Sequence, residues 1–526
     1  MAIIPRMPSV ARVAAAALLA SVALAALAVT VEHGPGIGST AAQDSRVLDG
    51  EARAILEELV GINTVEPRGT AEAVRAMAAR FRAAGFAPGD LHQAGPNDRK
   101  QNLVVRLRGT GSAAPILLLA HLDVVEARRE DWSTDPFALL EKGGYYYGRG
   151  TTDMKDMAAC WAAALLDMRR RGVVPARDVV LALTADEEGG GANGVDWLVR
   201  NRRDLIDAAF CLTEGGGGQI HEGRYRVYNV QAAEKVYVTF TLEATDAGGH
   251  SALPRPGNPI SRLAAALDRL ASLEFPFRLN EVTRGYFARM AAIEGGSIGL
   301  DMKRLVSEAA AVAPASSSAP SAPEAASAPP ALRPPALSGP PQRRAEGPPS
   351  PDAADAARRL SRLPYYNALL RTTCTATRVE GGHAENALPQ SAKAWVNCRL
   401  LPDDRPEDVE HALVEAVRDP QVAVRLAGAA SPGPASPLLP EVVGAVERAV
   451  GGMWPGVPVV PVMLTGATDG RILRRAGIPT YGVGAFENIE DNRAHGRDER
   501  IGVRQFREER ALLSALVTTL SGAPSR

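Results

Sequence analysis

The sequence VVLALTADEEGG spans residues 179–190 and decides the fold. Its first six residues form a continuous apolar run, which is typical of a strand buried on both faces of a parallel sheet. Asp186, Glu187 and Glu188 follow directly, and like charges this close together repel each other unless a cation neutralises them. Glu187 and Glu188 point in different directions, so one can bind a metal while the other acts as a base. Taken alone, the segment is equally compatible with a solvated acidic loop.

Two other apolar runs also end in a side chain that can bind a metal. Residues 116–120 are followed by His121, and residues 208–213 are followed by Glu214. Asp123 comes two residues after His121, so on an extended backbone the two side chains share a face. A carboxylate placed there can hold the second imidazole nitrogen and fix the tautomer of a metal-binding histidine. Each of these residues, taken alone, is also compatible with a structural role.

Two loop segments add another carboxylate and a second imidazole. The sequence GRGTTDMK at 148–155 is a glycine-rich turn that leads into a helix predicted over 154–170, with Asp153 near the helix N-cap. Asp153 is either a capping residue or a carboxylate whose two oxygens bridge two metals. The sequence NRAHGRDE at 492–499 places His495 in a polar loop before the last predicted helix.

The order of the predicted elements indicates the fold class. Up to about residue 230, buried strands alternate with helices, which predicts an α/β domain with a mixed, mainly parallel sheet sandwiched by helices. Residues 236–244 then alternate as a half-buried antiparallel strand, and the strand–helix–strand–strand–helix order that follows predicts an inserted α+β domain. We therefore predict a catalytic domain over 45–230 and 431–526, interrupted by a second domain over 231–430.

Two segments are predicted to lie outside these cores. Residues 1–42 combine Arg6 and Arg12 with an apolar run over residues 13–31, which is typical of a secretory signal. The run is nearly long enough to span a bilayer, so a retained N-terminal membrane anchor stays open beside a cleaved leader. We expect an exported, periplasmic or secreted chain, or an anchored one. Residues 309–351 are rich in Ala, Pro and Ser, which predicts a disordered or extended loop.

Composition narrows the function classes. The 59 Lys and Arg residues balance 60 Asp and Glu residues, for a net charge of -1, so the chain lacks the basic footprint of a nucleic-acid-binding protein. The four cysteines have no CxxC spacing, which excludes a zinc–thiolate site. Cys160 and Cys211 are predicted core residues. Cys374 and Cys398 lie on candidate strands of one domain and are either two buried thiols or a disulfide in an exported chain.

The polar residues at the strand ends point to a metal centre when they are taken together. In an open α/β sheet, ligands bind at the carboxyl ends of the strands, and four of these residues fall there: His121, Glu187, Glu188 and Glu214. Two imidazoles with several carboxylates are a donor set suited to zinc. Two metals roughly 3.5–4 Å apart would clamp a nucleophilic water and polarise a carbonyl.

Five segments in register carry a resemblance to a known family. AHLDVV (120–125), GRGTTDMKD (148–156), TADEEGG (184–190), LTEGG (212–216) and NRAHGRDE (492–499) resemble the aminoacylase/glutamate carboxypeptidase/succinyl-diaminopimelate desuccinylase family of dizinc metallopeptidases. The similarity covers most of the chain from about Asp49 to the last helix. It implies a zinc exopeptidase-like catalytic domain and a ferredoxin-like lid domain that often mediates dimerisation.

The resemblance also implies roles for individual residues. The metal ligands would be His121 and Glu214 for one Zn²⁺, Glu188 and His495 for the other, and Asp153 as the bridge between them, with Co²⁺ or Mn²⁺ left open as the cellular metal. Asp123 would orient His121, and Glu187 would be the general base. In the predicted lid, His250 would stabilise the oxyanion, Asn386 would line the site, and Arg399 would bind the substrate carboxylate. Asp469 would support the site.

The expected function is hydrolysis of an amide bond in a short peptide or an N-acyl amino acid with a free C-terminal carboxylate. Two alternatives stay open. One is a small-molecule deacylase of the acetylornithine or succinyl-diaminopimelate type, and the other is a non-catalytic peptide-binding protein on the same fold. Intact metal ligands together with Glu187 favour an enzyme.

Overall fold

The computed structural model describes residues 37–189, 191–310, 350–428, 430 and 432–524. The chain divides into two compact units, Met1–Arg46 and Val47–Arg526. Of the first unit only residues 37–46 are described, and they are helical. The predicted apolar leader lies outside the described residues, as does nearly all of the predicted loop over 309–351. Among the helices that are described, none combines the length and the apolar character needed to cross a membrane.

The described residues form fourteen α-helices and nineteen strands. The helices are α1 (Ile37–Gly61), α2 (Ala71–Ala83), α3 (Lys155–Arg170), α4 (Gly194–Asn201), α5 (Arg203–Ile206), α6 (Pro259–Ala271), α7 (Glu281–Glu294), α8 (Gly296–Ala310), α9 (Pro351–Leu360), α10 (Pro364–Leu370), α11 (Pro406–Val417), α12 (Pro440–Met453), α13 (Gly470–Arg475) and α14 (Val503–Ser521).

The strands are β1 (Leu91–Ala94), β2 (Asn102–Leu107), β3 (Ile116–His121), β4 (Leu140–Lys142), β5 (Tyr145–Tyr147), β6 (Val179–Thr184), β7 (Phe210–Thr213), β8 (Gly217–His221), β9 (Arg224–Glu234), β10 (Val236–Thr245), β11 (Gly249–His250), β12 (Thr373–Gly381), β13 (Ala387–Leu388), β14 (Ser391–Leu400), β15 (Val422–Ala427), β16 (Val459–Leu464), β17 (Thr480–Gly482), β18 (Phe486–Asn488) and β19 (Arg500–Gly502).

The larger sheet has ten strands in the order β1-β2-β6-β3-β7-β17-β9-β8-β18, with β16 paired to β9. Its central pairings, β6 with β3, β3 with β7 and β7 with β17, are parallel. Every residue of β3, β6 and β7 is buried, as expected for strands covered by helices on both faces. The predicted mixed, mainly parallel α/β sheet is therefore confirmed.

The smaller sheet has four antiparallel strands in the order β12-β14-β10-β15. With α6 between β10 and β12, and α11 between β14 and β15, the chain follows the βαββαβ order of a ferredoxin-like unit. Buried residues of α6 and α11 pack with alternate residues of β10 and β14. Among the described residues, no helix of that core covers the other face of this sheet, and this face includes the exposed Tyr237.

Helices α7 to α10 lie between α6 and β12 in sequence, but they pack into the core of the larger sheet. Phe287 on α7, Leu305 on α8 and Leu369 on α10 belong to the same buried cluster as the strands of that sheet. The domain boundaries at 231 and 430 remain predictions, and within them the segment from α7 to α10 contributes to the larger core. Strand β9 also runs past residue 230 as far as Glu234.

Cys374 and Cys398 form a disulfide. They lie directly opposite each other on β12 and β14, which fixes these two strands together. Cys160 and Cys211 are free thiols buried in the structure, as the sequence predicted.

Candidate metal centre

Three neighbouring strands of the larger sheet deliver acidic and imidazole side chains to one edge. His121 is the last residue of β3, Glu214 follows β7 directly, and Glu187 and Glu188 follow β6 after a short turn. Because β6, β3 and β7 are adjacent and parallel, their carboxyl ends meet at the same place. The predicted convergence of these four residues therefore follows from the topology of the sheet.

Asp153 lies at the middle of the cluster. Its Oδ1 atom is 3.0 Å from His121 Nε2, and its Oδ2 atom is 2.9 Å from His495 Nε2. His495 Nε2 is also 2.9 Å from Glu188 Oε1, and His121 Nε2 is 3.8 Å from Glu214 Oε1. Each oxygen of one carboxylate thus faces a different imidazole, so Asp153 divides the cluster into two halves.

The two halves differ in exposure. The His121 side chain is 2% exposed, whereas that of His495 is 53% exposed. Burial lowers the pKa of His121, but the hydrogen bond to Asp153 and the charge of Glu214 outweigh it and raise this pKa well above its ordinary value. Hydrogen bonds to Asp153 and Glu188 raise the pKa of His495 to about 10. The cluster therefore favours positive charge at both imidazoles.

The tautomer of His121 is set by its second ring nitrogen. Nδ1 lies 3.0 Å from the backbone carbonyl oxygen of Asp123 and 3.8 Å from the Asp123 carboxylate. Nε2 donates to Asp153 when His121 is protonated, whereas a neutral ring with its N–H on Nδ1 would offer the Nε2 lone pair to a metal ion. The Asp123 carboxylate instead accepts a hydrogen bond from the backbone N–H of Glu188 at 3.0 Å. Asp123 therefore contacts both His121 and the loop of the acidic residues.

Glu187 is partly buried beside several other acids. Burial and the charges of Asp469 and Glu214 raise the pKa of Glu187 well above its ordinary value. Asp469 is buried, and its Oδ2 atom has no hydrogen-bond partner among the described residues. Burial raises the pKa of Asp469 to about 6. Such crowding of carboxylates suits a site in which cations supply compensating charge.

A hydrogen-bond network around Asp186 and Asn193 fixes the loop that carries Glu187 and Glu188. The buried Asp186 carboxylate pairs with Lys100 and accepts a hydrogen bond from the Ala192 backbone at 2.8 Å. The Asn193 side-chain amide donates to the Asp186 carbonyl at 3.3 Å and to Asp469 at 2.6 Å. Sequence reasoning missed Lys100 and Asn193, because neither lies in a segment that indicates metal chemistry.

Glu499 joins the two loops that carry Asp153 and His495. Its carboxylate accepts hydrogen bonds from the backbone N–H groups of Gly150 and Thr152 at 3.0 and 2.8 Å. It also pairs with the buried Arg149 at 2.6 Å, and Arg149 donates to the carbonyl of Gly496 at 3.0 Å. Both residues stand inside the quoted motifs, but their pairing could not be inferred from spacing because 350 positions separate them.

The three site residues predicted in the second domain lie on the smaller sheet and on the β11–β13 ribbon. His250 on β11 pairs with Ala387 on β13, and the Ser251 N–H donates to the Asn386 carbonyl at 3.1 Å. The structure therefore brings His250 and Asn386 to one exposed two-stranded ribbon. Arg399 lies on β14, with its guanidinium over the ring of Tyr237 at 4.7 Å.

The donor set fits divalent metals. Two groups of side chains have ligand atoms within 4.8 Å of one another, His121 with Glu187 and Glu214, and His121 with Asp153 and Glu188. Neutral imidazole nitrogens and carboxylate oxygens are the ligands that zinc accepts in catalytic sites. Glu187 is close enough to be a ligand as well as a base, so distance alone does not separate these two roles.

Residues 117–519 match the model of peptidase family M20/M25/M40. The chain belongs to this family. One structurally similar member, the YXEP protein of Bacillus subtilis, is a dinuclear metal-binding peptidase, and the donor set of this chain agrees with such a site. The resemblance inferred from the five motifs is confirmed, and so is the assignment of the chain as a hydrolase.

Curated relatives with defined activities are similar over much of the chain. Human N-fatty-acyl-amino acid synthase/hydrolase PM20D1 is 28% identical over 419 residues, which cover 77% of this chain and 74% of the relative. The succinyl-diaminopimelate desuccinylase of Dinoroseobacter shibae is 33% identical over 231 residues, 42% of this chain and 56% of the relative. The M20 family metallo-carboxypeptidase Sso-CP2 of Sulfolobus solfataricus has the same fold, with a TM-score of 0.60, 16% identity and coverage of 90% and 99%.

Proposed function

We propose that this protein is a two-metal hydrolase that cleaves the amide bond of short peptides or N-acyl amino acids with a free carboxylate. The observation that carries the proposal is the arrangement of His121 and His495 on opposite oxygens of Asp153. A carboxylate held in this way is suited to bridging two cations. Family membership supports amide hydrolysis as the reaction.

The proposed ligands divide along the two oxygens of Asp153. His121 and Glu214 would hold one ion, Glu188 and His495 would hold the other, and Asp153 would bridge them. The bound ions would supply Lewis acidity to the scissile carbonyl and lower the pKa of the attacking water. We propose zinc, with Co²⁺ and Mn²⁺ as alternatives, because histidine and carboxylate ligands accept all three.

Glu187 is the proposed general base. Its carboxylate would take a proton from the attacking water and pass it to the leaving nitrogen, since an unligated carboxylate beside the reacting atoms can accept and return a proton. Asp123 would keep the tautomer of His121 through the contact between Nδ1 and its carbonyl.

Three residues of the smaller sheet and its ribbon are the proposed substrate contacts. His250 would stabilise the oxyanion, and the nearby Asn386 would line the same site, which is supported by their position on one ribbon. Arg399 would bind the substrate carboxylate, because a guanidinium matches that planar anion with two parallel hydrogen bonds. Closure of the smaller domain would bring these groups to the substrate and exclude water.

The relatives favour two substrate classes. Similarity over three quarters of the chain to an enzyme of N-fatty-acyl amino acids favours N-acyl amino acids. The shorter match to a desuccinylase favours succinylated diamino acids as the second candidate. A panel of acyl amino acids, dipeptides and succinyl-diaminopimelate separates the two, since a preference of about tenfold or more in kcat/KM identifies the class.

Export of the chain is proposed from the leader pattern and the disulfide. A disulfide between Cys374 and Cys398 fits an oxidising compartment, where such bonds persist.

We also propose a homodimer through the smaller sheet. Its outer strands, β12 and β15, each have one edge without a strand partner among the described residues, and such an edge can pair with a second copy. Light scattering tests this proposal: the mass in solution should be that of two chains, and a mass of one chain would contradict the homodimer.

The test of the proposed chemistry is Glu187→Gln. The variant should retain two equivalents of metal and lose about 10²- to 10⁴-fold in kcat, the usual contribution of a general base. Glu490→Gln is the control, because the Glu490 side chain is half-exposed in the His495 loop and pairs with the exposed His221 at 3.4 Å. Turnover by Glu187→Gln equal to that of the parent would refute the assignment of the base. Loss of metal from the variant would make Glu187 a ligand.

A further inference from the structure

Lys235 and Arg399 lie together at the junction of the two sheets. Lys235 connects β9 of the larger sheet to β10 of the smaller one. Arg399 on β14 is directly opposite Tyr237 on β10 and Thr373 on β12. Neither Lys235 nor Arg399 forms an ion pair with any acid among the described residues. Among the described residues, two cations without acidic partners thus lie near each other, the buried Lys235 and Arg399 on the open sheet face.

The acidic residues of the neighbouring elements are either far from Arg399 or paired with other cations. On this face, Glu243 and Glu380 both lie opposite Lys393, six residues from Arg399 along β14, which corresponds to about 20 Å. That distance exceeds the screening length of about 8–10 Å in physiological salt. Asp404, which accepts a hydrogen bond from Thr372 next to Thr373, pairs with Arg278. Glu274 pairs with the side chain of Arg371 at 2.9 Å.

The Lys235 ammonium is fully buried and has two acceptors. Nζ donates to the carbonyl of Arg371 at 2.6 Å and to the hydroxyl oxygen of Thr373 at 3.3 Å. Burial and the charge of Arg399 lower the pKa of Lys235 to about 7. The charged and the neutral amine both have at least two N–H groups. Lys235 can therefore donate to the Arg371 carbonyl and to the Thr373 oxygen in either protonation state.

A threonine hydroxyl has one proton and can accept through its lone pairs. Since the Thr373 oxygen accepts from Lys235, its own O–H remains available to donate. Thr373 is partly exposed on the same face as Arg399, because directly opposed residues of neighbouring strands project to the same side. The O–H of Thr373 and the guanidinium of Arg399 are therefore two donors that can meet one anion.

We infer that Thr373 and Arg399 together bind the free carboxylate of the substrate, and that Lys235 is a positioning residue that orients the Thr373 hydroxyl. This inference rests on the proposed function, which supplies the carboxylate. It assigns recognition of the anion to both donors, and it places the specificity for a free C-terminus at the junction between the sheets. Tyr237 supports the site by stacking under the guanidinium at 4.7 Å.

The test compares a substrate that ends in a free carboxylate with the same compound as a primary amide. Thr373→Val removes the hydroxyl at nearly constant volume, and Thr373→Ser restores it. For the metal-loaded enzyme, Thr373→Val should raise KM for the carboxylate substrate by about 10- to 100-fold, the range for a hydrogen bond to a charged group. It should leave kcat and the KM for the amide unchanged, and Thr373→Ser should remain within about threefold of the parent.

Thr375→Val is the matched control. Thr375 lies two residues further along the same face of β12, opposite Asn397 and away from Lys235, so this variant should behave as the parent. Equal KM values for the parent and Thr373→Val would overturn the inference, as would an equal loss on both substrates.

A binding experiment separates this inference from the proposed function. Calorimetric titration of the metal-loaded protein with a free amino acid and with its primary amide needs no turnover. If the parent hydrolyses nothing in the panel, the proposed function fails. Weaker binding of the free amino acid by Thr373→Val than by the parent and Thr373→Ser would still support the anion site. No preference of the parent for the free amino acid over its amide would overturn it.

Discussion

Replacement of Glu499 by glutamine should weaken both the fold and the metal centre. The Glu499 side chain is fully buried, and its partner Arg149 is 3% exposed. Removal of the negative charge leaves a buried guanidinium without compensation, a change that typically costs 3–5 kcal/mol. Because glutamine keeps one oxygen to accept from Gly150 or Thr152, we expect a loss near the lower limit, about 3 kcal/mol.

The same change should lower metal affinity. Glu499 holds the backbone of Gly150 and Thr152, directly before Asp153, and Arg149 holds the carbonyl of Gly496 beside His495. Partners that hold metal ligands in place are typically worth 10- to 100-fold in affinity. We expect a loss in that range for the ion that His495 is proposed to bind.

Two measurements separate these effects. Urea unfolding in excess chelator gives the free energy of the metal-free fold, and competition with a chromophoric chelator gives the metal affinity. Glu126→Gln is the control, because Glu126 forms an exposed pair with Arg128 at 3.4 Å and should leave both quantities unchanged. A stability loss below about 0.5 kcal/mol with the metal affinity of the parent would refute the reasoning from the buried pair.

Three further outcomes are expected. Reduction of the Cys374–Cys398 disulfide, which closes 24 positions, should lower the unfolding free energy by up to about 3.5 kcal/mol; equal urea midpoints with and without reductant would contradict this. Burial and the charge of Glu487 raise the pKa of Glu509 to about 8, above its unfolded value of about 4.3. The stability that its proton provides is therefore complete below about pH 4.3 and is lost as pH rises through 8, so in urea titrations with chelator the parent should lose more stability between pH 5 and 8 than Glu509→Gln. Asp186→Asn removes the charge that pairs with buried Lys100 and should destabilise by roughly 2–3 kcal/mol, since Glu66 still pairs with Lys100; an unchanged urea midpoint would show that the pair is not needed.

Where the signal is local, the sequence predicted the structure closely. The run over 179–184 is strand β6 with the predicted limits, and the helix predicted over 154–170 is α3, which begins one residue later. The alternation after residue 236 predicted β10. Each of these elements has a clear apolar pattern, continuous in β6 and periodic in the others, so side-chain burial alone determines its limits. The convergence of the site residues was also predictable. Their apolar runs predict adjacent parallel strands, and the carboxyl ends of such strands meet at one edge of the sheet.

Other parts depend on contacts that no local pattern encodes. Strand β8 contains consecutive glycines, which indicate a loop, yet Gly217 and Gly218 pair with β9. At Gly218 a Cβ atom would lie about 2.0 Å from the Phe486 ring, so the glycine is required by packing. Helix α7 packs on β16 of the larger sheet, although nearly 180 positions separate them. Packing contacts between segments that are distant in sequence cannot be predicted from a local pattern, because they exist only in the folded structure.

The position of β17 has a consequence for how the protein is made. This strand comes from residues 480–482, yet it lies between β7 and β9 in the middle of the ten-stranded sheet. A ribosome must therefore synthesise the 266 residues that separate β7 from β17 before the two halves of the sheet can join, and pairings between such distant segments form slowly. His495 emerges later still. A nascent polypeptide that has not yet reached residue 495 thus lacks one of the proposed metal ligands and cannot assemble the proposed two-metal site.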